Sequence, residues 1–138
     1  MKPEQLEGLL RYRLEQAHET LREAEILLGE SALRGVVNRA YYAMFYALLA
    51  LLATRQLGTS RHSGALALFD REFVKTGVFS REISRSLHLA FDRRQEHDYG
   101  EIVLVSSPIA EEALTDARTF VAAVEAYLRS AGYSAAAR

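Results

Sequence analysis

The chain has 138 residues, enough for one domain with a core of its own. It contains no cysteine, which excludes disulfides, thiolate catalysis and cysteine-held zinc or iron–sulfur centres. Seventeen basic side chains nearly balance eighteen acidic ones, so the overall field makes no case for nucleic acid or a membrane, although all but two of the basic residues are Arg, the planar phosphate reader.

Helical period runs through the whole chain. The opening Met1-Lys2-Pro3-Glu4-Gln5 lacks the charged-then-apolar build of a signal peptide, and a cytoplasmic address is expected. Leu6, Leu10, Leu14, Ala17, Leu21, Ala24 and Leu28 then step by four or three residues, the inner face of a long amphipathic helix that Gly29 can close. Ser31 can cap a second helix running to about Gln56. Its middle, Ala40 to Ala53, is an unbroken apolar run of 14 residues, short of the roughly 20 that a bilayer-crossing helix needs. A helix apolar on all sides belongs at the centre of a bundle. Asn38, Arg39 and the phenols of Tyr41, Tyr42 and Tyr46 must find polar partners there, because unpaired buried polar groups are costly. The second helix is therefore expected to carry a polar pocket at its N-terminal end.

Ser60 can cap a third helix with Leu66, Phe69 and Phe73 inward, closed by Gly77. Ser80 can cap a fourth, with Ile83, Leu87, Ala90 and Phe91 on its buried face, ending near Asp98-Tyr99-Gly100. Glu101 to Val105 is the one β-like run; an isolated strand has nothing to pair with, so a loop packed by its apolar residues is predicted. Ser107-Pro108 followed by Glu111 reads as the start of a last helix, with Ser107 as cap and Ala110, Leu114, Ala117, Val121, Val124 and Leu128 inward. The prediction is an all-α antiparallel bundle of four to five helices. It forms a single domain over residues 1–131, followed by a flexible tail over 132–138.

Asn38-Arg39-Ala40-Tyr41-Tyr42-Ala43-Met44-Phe45, then Arg61-His62-Ser63-Gly64, then Arg93-Arg94-Gln95-Glu96-His97-Asp98-Tyr99 follow one another in an order that resembles the HEPN domains of small prokaryotic proteins, in a branch with an R-x-x-x-D-Y signature. The resemblance runs from about Leu6 to Leu128. It implies a helical bundle that dimerises, with the polar ends of the second and fourth helices facing one cleft. It also implies a minimal nucleotidyltransferase as a separately encoded partner in a toxin–antitoxin pair. Several branches of the family are metal-independent ribonucleases with Arg, four to six residues, then His.

Arg93 and His97 stand three residues apart by intervening count, one short of that spacing, yet at i and i+4 they share a helix face. Arg13 and His18, Arg55 and His62, and Arg81 and His88 satisfy the spacing literally. In a chain this rich in Arg such matches also arise by chance. The catalytic candidates are Arg93, His97 and Tyr99, and the ligand-binding candidates are Asn38, Arg39, Tyr42, His62, Arg94 and Asp98. Each has an alternative role: Arg39 in an ion pair with Asp98, the tyrosines in core or subunit packing, His62 in a hydrogen bond across the bundle as a neutral ring, and His97 as a surface residue. No metal or other cofactor is expected, since attack by an RNA 2′-hydroxyl needs none. Three functions stay open: RNA or nucleotide binding as a toxin-like partner of a nucleotidyltransferase, metal-independent RNA cleavage, and a helical dimerisation scaffold.

Overall fold

The structure, a computed structural model, describes residues 1–99 and 104–136, with the side chains of residues 96–99 outside that description. Among the described residues it is all helical: α1 (Pro3–Gly29), α2 (Leu33–Ala53), α3 (His62–Phe69), α4 (Arg81–Tyr99) and α5 (Ser107–Ser130). A π-helical turn, Asp70–Val74, extends α3, and a 3-10 turn, Ser134–Ala136, follows α5.

α2 is the middle of the bundle. It touches each of the other four α-helices, and Arg34 is its one exposed residue. At 21 residues its length and composition would suit a bilayer, but 67% of its most apolar window is buried by its neighbours. Burial, rather than the shortness of its apolar run, assigns it to the core. Tyr41, Met44, Leu48, Leu51 and Leu52 are among the largest fully covered side chains. α1 lies along α2 after a three-residue link, which makes the pair antiparallel.

The inner faces follow the apolar period. Leu10, Leu14, Ala17, Leu21 and Ala24 of α1 are buried, as are all six periodic positions of α5. The caps differ more from expectation. Ser31 does not cap α2, whose N-cap is Ala32 without a side-chain bond. Ser31 instead takes φ 57° just past α1, where Ser31 N–H donates to the Leu28 carbonyl and Ala32 N–H to that of Leu27, a Schellman closure. Ser60 does not cap α3; Arg61 holds that position. Ser80 does cap α4, accepting from Ile83 N–H at 3.2 Å. For α5 the cap is Ser106, which accepts from Ile109 N–H at 3.3 Å, one residue before the expected Ser107.

Gly77, at φ 84°, closes the segment from α3 as expected. In the Glu101–Val105 run, residues 101–103 lie outside the described residues, Leu104 is 91% exposed and Val105 packs on the core. Where a flexible tail is expected from Gly132, Ser134 Oγ and Ala135 N–H both donate to the Glu7 carboxylate, and Ala136 is 1% exposed. Arg129 also donates to the Ala136 carbonyl, at 3.2 Å.

Candidate functional site

The N-terminal half of α2, the first residue of α3 and the second half of α4 meet in one cluster. Tyr41 and Phe45 lie at i and i+4 on α2, so their rings share a face, and both are buried. His62, the first residue of α3, is laid against them: its ring stacks on Phe45 with centroids 4.0 Å apart and 13° between planes. Its Nδ1 lies 2.8 Å from Tyr41 Oη. Phe91 of α4 closes the group, 5.9 Å from the Tyr41 ring.

At the rim of this aromatic floor stand two arginines. The Arg94 guanidinium carbon is 5.5 Å from the Tyr41 ring centre and 5.1 Å from that of Tyr42. Arg39 approaches the same Tyr42 ring to 5.1 Å. Arg39 Nε–H donates to Asn38 Oδ1 at 3.0 Å, and its NH1 is 3.3 Å from Glu23 of α1, a half-exposed carboxylate. Two guanidinium groups thus approach one half-buried ring, a cation–π arrangement.

Titration follows from this setting. Burial pushes the Tyr41 phenol far above its ordinary range, against a smaller opposing pull from Arg94. Burial, then the Arg94 charge, holds His62 below its usual value. A phenol that keeps its proton can donate to Nδ1 of a neutral imidazole, the arrangement in which the ring proton sits on Nε2. The cluster therefore sets two guanidinium groups, one paired with Glu23, and the His62 ring around Tyr42, over the buried Tyr41 and Phe45. Guanidinium groups so placed suit an anion.

Asn38, Arg39, Tyr42, His62 and Arg94 are brought together here, and the cross-bundle hydrogen bond expected of His62 is present. Arg93 is not in this group. One residue along α4, it points instead to α5, where NH2 is 3.3 Å from Glu112. There it also opposes the upward push that burial and Glu112 exert on the Asp116 carboxyl. The backbone at His97, Asp98 and Tyr99 continues α4, but their side chains lie outside the described residues, as does any Arg39–Asp98 pair. Sequence reasoning placed Tyr41 among packing aromatics and passed over Phe45. The signal for both was available, since a buried phenol needs a hydrogen-bond partner and the i, i+4 aromatic pair names the face.

Of the literal Arg-to-His spacings, Arg81 and His88 line one groove beside α4, while the other two pairs do not converge. Arg13 donates to Gln16 and His18 binds Glu125, each at 2.9 Å. Arg55 donates to the Glu72 carbonyl at 2.6 Å and covers the Phe73 ring, away from the His62 cluster. Although Glu15 and His18 lie one turn apart on α1, no group of three His, Cys, Asp or Glu side chains among the described residues could hold a metal ion.

Comparison with known proteins gives a consistent picture. The model of the HEPN domain matches residues 10–127. The chain is 40% identical to a UPF0332 protein of Thermotoga maritima, over 86% of this chain and 90% of that one. It is also 32% identical to each of two proteins of Methanocaldococcus jannaschii. One, named "Putative toxin MJ0142", aligns over 85% of this chain and 80% of its own length. The other, named "Putative toxin MJ0605", aligns over 84% and 86%.

Proposed function

The chain belongs to the HEPN domain family, and on that premise we propose that it is the toxin-like member of a pair with a minimal nucleotidyltransferase, acting as a homodimer whose Arg39–Arg94 cluster takes the phosphate of a nucleotide or RNA. The observation that carries the reading is the approach of Arg39 and Arg94 to one ring, Tyr42, each at 5.1 Å. An anion at the rim of this ring can meet both guanidinium groups, and a base can pack against the half-buried Tyr42. The toxin-named relatives support the cellular role. Arg94 is also the arginine that reads literally as R-x-x-x-D-Y with Asp98 and Tyr99.

Binding is favoured over cleavage by the state of the one described imidazole in the cluster. Burial and Arg94 hold His62 below its usual value and Tyr41 engages its Nδ1, a setting that favours a hydrogen-bonding role over a proton shuttle. A second copy is favoured by α2 itself: Tyr42, Tyr46, Leu49 and Ala53 form a helical stripe left half-covered by the other helices. Such a stripe beside the cluster suits an isologous contact.

The test is equilibrium binding of a labelled RNA oligomer and of a labelled mononucleotide, in chelator, to the intact protein and to Arg94→Ala, Arg94→Lys and Arg93→Ala. Arg94→Ala is expected to weaken both ligands about tenfold, with Lys recovering part because it lacks the planar fork. Arg93→Ala should bind as the parent does. Equal binding by Arg94→Ala and the parent overturns the site, and RNA shortened by the parent but not by Arg94→Ala replaces binding with cleavage.

A further inference from the structure

A second cationic feature lies away from the Tyr42 cluster, where the π-helical turn meets the start of α4. An open groove of about 400 Å3 is lined there by Asp70, Lys75, Arg81, Ser84, Arg85 and His88. Both oxygens of Asp70 are engaged: Ser84 Oγ donates to Oδ1, and His88 Nε2 lies 2.7 Å from Oδ2. These two contacts anchor the turn to α4, while the Asp70 carbonyl closes the turn itself by accepting from Lys75 N–H at 2.9 Å. Arg81, Arg85 and His88 step by four and three residues, so they line one face of α4. Lys75 faces them from the other wall, and none of Lys75, Arg81 and Arg85 has a carboxylate partner among the described residues.

In a chain of net charge −1 this is a concentrated positive strip. Its lining includes a single apolar side chain, Val74. A protein interface would want aromatic anchors such as Tyr, Trp or Phe, which the groove lacks, whereas a phosphodiester backbone asks only for ordered cations.

We propose that this groove is a track for the backbone of single-stranded RNA, so that the ligand is an RNA strand rather than a free nucleotide. The inference rests on the reading that the Arg39–Arg94 cluster takes a phosphate, and it deepens that reading. Arg81 and Arg94 lie on one helix about 20 Å apart along its axis and on different sides of it, a separation a mononucleotide cannot bridge and a strand of several nucleotides passing around the helix can.

The experiment is fluorescence anisotropy of an unstructured, labelled RNA oligomer and of a labelled mononucleotide over a range of salt, with Arg81→Ala/Arg85→Ala, with Arg85→Glu and with Arg94→Ala. Both groove arginines are exposed, so the fold should persist, and circular dichroism checks it. The double variant should lose about tenfold in RNA affinity at low salt. Its plot of log affinity against log salt should be shallower by about 1.4, two single-strand phosphate contacts at about 0.7 each, while mononucleotide binding stays at the parent level. Arg85→Glu should lose more than the double variant.

RNA affinity and salt slope equal to the parent's in the folded double variant overturn the track, as does a parent that binds no RNA at low salt. If that double variant loses poly-glutamate instead, the groove belongs to an acidic protein and the RNA assignment is overturned. Loss in the double variant with no loss in Arg94→Ala leaves the groove standing and removes the Tyr42 cluster. The reverse pattern removes the groove alone.

Discussion

The chemistry of the site turns on a few atoms around Tyr41 and His62. A phenol buried at the centre of a helical bundle is tolerable only if its hydroxyl is paired, and the Nδ1 of His62 at 2.8 Å is its partner. That pairing has a consequence for acid stability. Burial and Arg94 lower the His62 value below the 6.5 of an ordinary imidazole, so the folded ring holds a proton less tightly than the unfolded one. Unfolding then takes up a proton on acidification. The His62 contribution is therefore whole above about 6.5, and it is lost as pH falls from there through the lower folded value. His62→Asn keeps a side-chain acceptor for the Tyr41 hydroxyl and removes the titration. Between about pH 8 and about pH 5 the melting temperature of the parent should fall further than that of His62→Asn. Parallel melting curves for the two proteins across that range would contradict the assignment of a neutral, hydrogen-bonded ring.

At the level of elements, the helix ends differ in what they demand. α1 and α5 both finish in a Schellman motif, with the residue in the left-handed region being Ser31 after α1 and Gly132 after α5. Gly132 meets that φ at no steric cost, while Ser31 holds φ 57° against the preference of a residue with a Cβ. Ser31→Gly should stabilise the protein by about 0.5–1 kcal/mol, partly offset by the extra freedom it gives the unfolded chain, raising the melting temperature by a few degrees. A lower melting temperature would mean that Ser31 makes up its strain elsewhere. The apolar period could name the buried faces of α1 and α5, because burial repeats every three to four residues whatever the neighbours are. It could not choose between Gly29 and Ser31 as the closing residue, or between Ser106 and Ser107 as the cap, since candidates of suitable type lay within a residue or two. The π-helical turn was invisible for another reason: Asp70 is tied to Ser84 and His88 of α4, and such tertiary anchors leave no local pattern.

Over the whole molecule, the same limit separates Arg93 from Arg94. Adjacent positions on a helix differ by about 100° in direction, and both carry the same side chain, so only the arriving neighbours sort them. Glu112 of α5 takes Arg93, and the tyrosines of α2 take Arg94. The central place of α2 was legible, because a rod apolar around its circumference has nowhere else to go. What covers its remaining stripe is a question of assembly, and it can be put to the intact chain of 15.5 kDa. Tyr42, Tyr46, Leu49 and Ala53 are half-covered in one copy, and a two-fold contact through them would set the Arg39–Arg94 cluster of one protomer beside that of its partner. Sedimentation equilibrium should then return twice the chain mass at micromolar concentration. Tyr46→Glu, which places a charge in the middle of the stripe, should shift the population to monomer, with the helical signal retained by circular dichroism. The Tyr42 ring lies 6.1 Å from that of Tyr46, so the same variant should also weaken RNA binding, by way of the lost second cluster. A parent that sediments as a monomer at every concentration would remove the dimer. A Tyr46→Glu protein that stays dimeric would move the contact to another face and leave the α2 stripe to a different chain.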